Sequence, residues 1–167
     1  METMFERCIY CFAPKSAAGA CPVCGYEDGL CDLPAYLLSP GTVLKGKYMV
    51  GKLLRQGTEQ LCYLGWDIKA QCQVEITEYY PAQLVTRDIT NSAAVSCIPN
   101  RSAELERGKQ AFFERAKLFY NCVSRVQSVA MDFFVRNNTC YHVRWKEPLP
   151  DDEIPMDARP TVAKNDA

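Results

Sequence analysis

Apolar residues between positions 47 and 79 come in short bursts. Tyr48 and Val50, followed by Leu53 and Leu54, make one stretch, and Leu61-Cys62-Tyr63-Leu64-Gly65-Trp66 makes a second. Gln56-Gly57-Thr58-Glu59 lies between them, and a glycine set between two such runs predicts an antiparallel hairpin. Gln73 to Tyr79 is rich in β-branched and aromatic residues and is stopped by Pro81, which predicts a third strand. The periodicity then changes: Leu105, Phe112, Phe113, Ala116, Leu118 and Phe119 recur at helical spacing between Ser102 and Val123, with charges between them and Ser102 available as the cap. Val126 to Phe134 and Thr139 to Trp145 predict a last strand pair joined by Arg136-Asn137-Asn138. Residues 47–147 are thus expected to form an α+β domain, a five-stranded antiparallel sheet with one main helix, in the order three strands, helix, two strands.

Two Cys-x-x-Cys turns precede this domain. Cys8-Ile9-Tyr10-Cys11 and Cys21-Pro22-Val23-Cys24 are separated by nine residues, a spacing that lets a short hairpin bring four thiolates to the corners of a tetrahedron. Four soft ligands with no histidine and no open position describe a closed structural site, and zinc is its default occupant, one ion per chain. Iron held as in rubredoxin and a redox dithiol are the competing readings, although a redox motif ordinarily precedes a helix in a βαβ unit. Residues 1–32 are therefore expected to be a zinc ribbon whose folding free energy comes mostly from the metal, because so small a segment buries little apolar surface. Residues 33–46, with Ser39-Pro40-Gly41, read as a linker packed on the next domain, and residues 148–167 as a disordered tail or linker.

Composition narrows the function classes. With 19 basic and 20 acidic residues the chain has a net charge of -1, so no overall field draws it to nucleic acid or an anionic membrane. The basic residues on or beside the predicted helix, such as Arg107, Lys109 and Arg115, interleave with Glu104, Glu106 and Glu114 and read as a solvated face. No apolar run approaches the roughly 18 residues of a membrane span, no signal peptide is evident, and clustered Cys pairs suit a reducing compartment; a cytoplasmic location is expected. Cys31, Cys62, Cys72, Cys97, Cys122 and Cys140 are scattered singly and read as small hydrophobes or free thiols. His142, the only histidine, has no nucleophile nearby and reads as a strand surface residue.

Several segments taken together resemble one family. Pro40-Gly41-Thr42-Val43-Leu44, Lys47-Tyr48, Tyr63-Leu64-Gly65-Trp66-Asp67, Glu78-Tyr79-Tyr80-Pro81, Arg87-Asp88, Ala116 with Leu118, and Asp132-Phe133-Phe134 followed by Asn138-Thr139-Cys140-Tyr141 stand where bacterial serine/threonine kinases of the eukaryotic type, in a group with a zinc ribbon ahead of the kinase, read PGTVL, RY, TYLGWD, KEYFP, R, EA..L and DFF...NTAY. The resemblance spans residues 8 to 146 and implies the small, N-terminal lobe of such a kinase. It also implies a damaged active site. The three loop glycines that let backbone amides approach phosphate fall on Arg55, Gly57 and Gln60, and only the middle one is glycine. The phosphate-contacting lysine falls on Thr77, and its glutamate partner on Arg115, or on Glu114 if the alignment shifts by one residue. Arg144 takes the gatekeeper position and Trp145 the first hinge position, where both would crowd an adenine slot. Asp132-Phe133-Phe134 lies ahead of the hinge and is not the metal-binding DFG; no HRD-type loop follows, and a second lobe is not expected.

The resulting expectation is a non-catalytic, pseudokinase-like module with a structural zinc ribbon, acting in protein interaction or regulation. It would bind no ATP, no nucleic acid and no membrane, and would meet a protein partner or a second copy through the exposed lower face of the lobe. The alternatives are a nucleotide-binding sensor without phosphoryl transfer, or the N-terminal part of a larger, inactive or very weak kinase.

Overall fold

A computed structural model describes residues 7–15, 19–29, 32–123 and 131–145. In chain order its elements are β1 (Val43–Leu44), β2 (Tyr48–Gln56), β3 (Gln60–Asp67), β4 (Cys72–Tyr79), β5 (Val85–Thr86), β6 (Ser96–Cys97), α1 (Ser102–Val123), β7 (Met131–Arg136) and β8 (Thr139–Trp145). The main sheet has six antiparallel strands in the order β1-β2-β3-β4-β8-β7, and β5 and β6 form a small second sheet.

The expected α+β lobe with a five-stranded sheet is therefore corrected. The described fold is mostly β, with one helix, six strands in a strongly curled sheet, and a separate two-stranded sheet. The sixth strand, β1, comes from the segment read as a linker. Lys45 and Gly46, both at positive φ, reverse the chain so that Val43 and Leu44 pair with Met49 and Tyr48. Two-residue strands such as β1, β5 and β6 carry too little alternation to register as a pattern. The predicted strand from Val126 is described only from Met131; residues 126–130 lie outside the described residues, as do Cys31 and the 148–167 segment.

Curling brings the two ends of the sheet together. Lys45, in the β1–β2 turn, forms an ion pair of 2.9 Å with Asp132 on β7. The Tyr48 hydroxyl on β2 donates to the same carboxylate at 2.8 Å, and the Tyr48 ring stacks on Phe134 with centroids 6.0 Å apart. Irregular register in β2 between Val50 and Leu53 and again before Arg55 bends that strand, as bulges do. The result is a nearly closed barrel. Its interior holds Tyr48, Val50, Leu61, Tyr63, Val74, Ile76, Tyr141 and Val143, together with Leu37 and Leu38 from the segment ahead of β1.

Helix α1 lies on the opposite face of the sheet. Phe112 meets Tyr79 and His142, and Phe113 meets Phe133 edge-on. Gly108 makes this approach possible, since a Cβ there would stand only 1.7 Å from the Tyr79 hydroxyl oxygen. Among the described residues no helix is long and apolar enough to cross a membrane.

Candidate metal centre and the face beneath the helix

Each Cys-x-x-Cys segment folds as a tight knuckle. The Phe12 amide donates to the Cys8 carbonyl and the Gly25 amide to the Cys21 carbonyl, both at 2.8 Å. The residue after each second cysteine adopts the left-handed conformation, Gly25 at φ 78° and Phe12 at φ 60°. Glycine does this without strain; a phenylalanine holds it only where its surroundings compel it. Amides of Tyr10, Val23 and Tyr26 each donate to a sulfur, Cys8, Cys21 and Cys24 respectively, at 3.4 Å. The Tyr10 and Tyr26 rings stack at 4.7 Å.

The structure brings Cys8, Cys11, Cys21 and Cys24 together, with all four sulfurs within 4.8 Å of one another. Cys8 and Cys24 are 3.7 Å apart, as are Cys11 and Cys21. A tetrahedron with metal–sulfur bonds near 2.3 Å has edges of about 3.8 Å, so the cluster fits a metal ion. The separations are far longer than the roughly 2.0 Å of a disulfide. Hydrogen bonding from the Cys24 and Val23 amides draws the Cys21 thiol down to about 6, whereas burial pushes Cys11 up to about 12. Neighbouring thiols in such a cluster ionise one at a time, and the amide-supported sulfur ionises first.

The ribbon is seated on the barrel. The Lys52 amide, at the β2 irregularity, donates to the Tyr10 carbonyl at 2.9 Å. Phe12 is fully buried against Met49, Leu64 and Trp66, and the Arg7 guanidinium lies 4.5 Å over the Trp66 ring.

On the face that carries α1, the positions singled out in the sequence separate into two groups. Arg55, Thr77 and Arg144 converge. Glu75, on β4, accepts from Arg55 at 2.8 Å and from Arg144 at 3.2 and 3.3 Å. Cys62 on β3 sits beneath them, 3.3 Å from Arg55 and 3.5 Å from Glu75, and Thr77 directs its hydroxyl to the Cys62 sulfur at 3.8 Å. Burial raises the Glu75 carboxyl, but the two guanidiniums outweigh it and hold the group below its usual range. Gly57 and Gln60 lie at the β2–β3 turn, joined by a backbone bond from the Gly57 amide to the Gln60 carbonyl at 2.9 Å. Arg115 on α1 belongs with that turn, where it stands 3.8 Å from Glu59, and both side chains are exposed.

Glu75 is a residue the sequence reading passed over. Its signal was present: Val74-Glu75-Ile76-Thr77-Glu78 places two carboxylates in one apolar strand, and a period of two puts them on opposite faces. Glu78 faces the interior, in a fully buried ion pair with Arg87 at 2.7 Å, and accepts from Tyr141 as well. His142 is also corrected. It is half-buried, packed against Phe112 and Phe133, and its Nδ1 is buried with no hydrogen-bond partner among the described residues.

No protein-family model matches the sequence, and neither does any curated protein sequence. Among solved structures, the fold is similar to that of PpkA-294 in its apo form, a fragment of a bacterial serine/threonine kinase, with a TM-score of 0.55 and 16% identity. The match covers 66% of this chain and 38% of that one. At that identity the likeness concerns the fold alone, a curled antiparallel sheet with one packed helix.

Proposed function

We propose that this chain is a non-catalytic, kinase-like module carrying a structural zinc ribbon, and that it acts through protein interaction or regulation. The observation that carries this reading is the bridge from Arg55 through Glu75 to Arg144. In the kinase resemblance the corresponding face would receive a nucleotide, with an alanine at position 75 and a lysine at position 77. Here a carboxylate occupies the face and consumes the two cations nearest to it, while neutral Thr77 has no charge to offer a phosphate. Phosphoryl transfer depends on fixed phosphates and metal ions, and none of these side chains supplies a grip for them.

Zinc is the reading favoured for the four-cysteine cluster, because an all-thiolate tetrahedral site with amide-to-sulfur bonds suits a closed structural ion. Bound there, the ion would hold the two knuckles together. An interaction role draws support from a groove of about 440 Å³ between α1 and β7, lined by Phe112, Phe113, Phe133 and Val135, of which Phe113 and Val135 are exposed. A protein partner or a second copy is the expected occupant of such an apolar surface.

Nucleotide binding gives the direct test. In a thermal-shift titration, millimolar ATP with magnesium should leave the midpoint unchanged, and stabilisation that saturates with nucleotide would reject the reading.

A further inference from the structure

The contact between ribbon and barrel is more than a tether. Phe12, the residue next to the metal-cluster sulfur of Cys11, has no exposed surface and completes an apolar cluster with Met49, Leu64 and Trp66 on the outer side of β2 and β3. The barrel is shaped to receive it. Gly51 leaves a gap that no other residue could: a Cβ there would lie 2.6 Å from the Phe12 ring and 2.7 Å from the Tyr10 carbonyl oxygen. The neighbouring Lys52 amide turns out of the regular ladder to bind that same carbonyl. Arg7 closes the contact from the other side, donating to the Phe12 carbonyl at 3.1 Å while its guanidinium covers Trp66.

Phe12 holds its left-handed backbone at the end of the first knuckle, where its amide donates to the Cys8 carbonyl and its neighbour Cys11 belongs to the four-sulfur cluster. We propose that metal occupancy is read out by the barrel through Phe12: when the metal leaves, the knuckle opens, Phe12 withdraws, and an apolar surface formed by Met49, Leu64 and Trp66 is uncovered on β2 and β3. The four-cysteine centre then acts as a metal-sensitive clasp that keeps this apolar patch covered by Phe12. This inference rests on the reading that the cluster holds a metal. Because the two sites share one contact, the coupling is reciprocal, and a change at Gly51 must weaken the metal by the same factor that the metal stabilises the contact.

The test uses the full chain with Trp145→Phe, which leaves Trp66 as the single tryptophan, loaded with zinc and assayed for metal content. A chain that takes up no zinc overturns the metal reading itself, and with it the coupling; a loaded chain isolates the coupling. On chelation, acrylamide quenching of Trp66 should rise about threefold or more and the Lys52 amide should lose hydrogen-exchange protection, while β4 and β8 stay protected. Loss of protection in residues 8–12 with Trp66 and Lys52 unchanged would overturn the proposal, and so would loss throughout β4 and β8, since the metal would then hold the whole fold. Phe12→Ala keeps all four cysteines and should retain one zinc while exposing Trp66 to the same degree; a Trp66 signal equal to the parent's counts against the proposal. Gly51→Val should weaken zinc about tenfold in competition with a chromophoric chelator, and undiminished affinity would refute the reciprocal half.

Discussion

Single residues on the helix-bearing face carry unusual electrostatic loads. Burial, reinforced by the Arg144 charge and only partly offset by Glu75, lowers the His142 imidazole to about 4 from its usual 6.5. The unfolded chain therefore takes up the proton first as the pH falls. This neutral histidine costs no stability above its usual value, and stability is lost progressively as the pH drops from there toward 4, amounting to about 2 kcal/mol by pH 5. His142→Leu should remove that part of the acid slope, measurable as a flatter dependence of urea midpoint on pH between 6.5 and 4. Glu75 poses the converse case. Glu75→Ala deprives Arg55 and Arg144 of their shared carboxylate and leaves two guanidiniums beside an alanine. Pyrophosphate at millimolar concentration should then raise the melting midpoint of the variant and not that of the parent; identical responses would mean that Glu75 does not block the face.

At the scale of elements, the segment between β4 and α1 is held by one buried charge pair. Arg87 donates to Glu78 with two nitrogens at 2.7 Å, and further to the Tyr36 and Ala93 carbonyls, so the β5–β6 sheet and the residues ahead of β1 share an anchor. Burial would lower the guanidinium, yet the hydrogen-bonded carboxylate of Glu78 raises it above its already high range. Removing one partner of such a pair strands the other charge in the interior. Arg87→Met should cost about 3–5 kcal/mol in equilibrium unfolding, and adding Glu78→Gln should recover part of it because the unpaired carboxylate is gone. A double variant no more stable than the single one would show that the bonds to Tyr36 and Ala93 matter more than the charge.

For the whole molecule, ribbon and barrel form one packed body joined through Phe12, Tyr10 and Arg7. Purified protein should contain close to one zinc per chain by elemental analysis, and a strong chelator should unfold residues 8–26. Replacing Cys21 and Cys24 by serine should have the same effect on the ribbon without added chelator. A pull-down comparing the intact chain with that variant asks whether partner capture depends on the ribbon or on the groove beside α1, and a partner retained equally by both would place binding on the barrel.

Much of this molecule is written in local order. Cys-x-x-Cys spacing marked the four clustered cysteines because a knuckle is closed by neighbours in sequence, and strands β2, β3, β4 and β8 with helix α1 were marked by periods that each element carries within itself. The bridge across Glu75, the burial of His142 and the charge pair of Glu78 with Arg87 were not marked, since each joins residues from different strands or loops and depends on which face a given register turns inward. Curling decided the rest. Only when the sheet bends until Asp132 meets Lys45 and Tyr48 does an interior separate from a helix-bearing face, and that bending is a sum of strand twists and bulges that no single segment encodes.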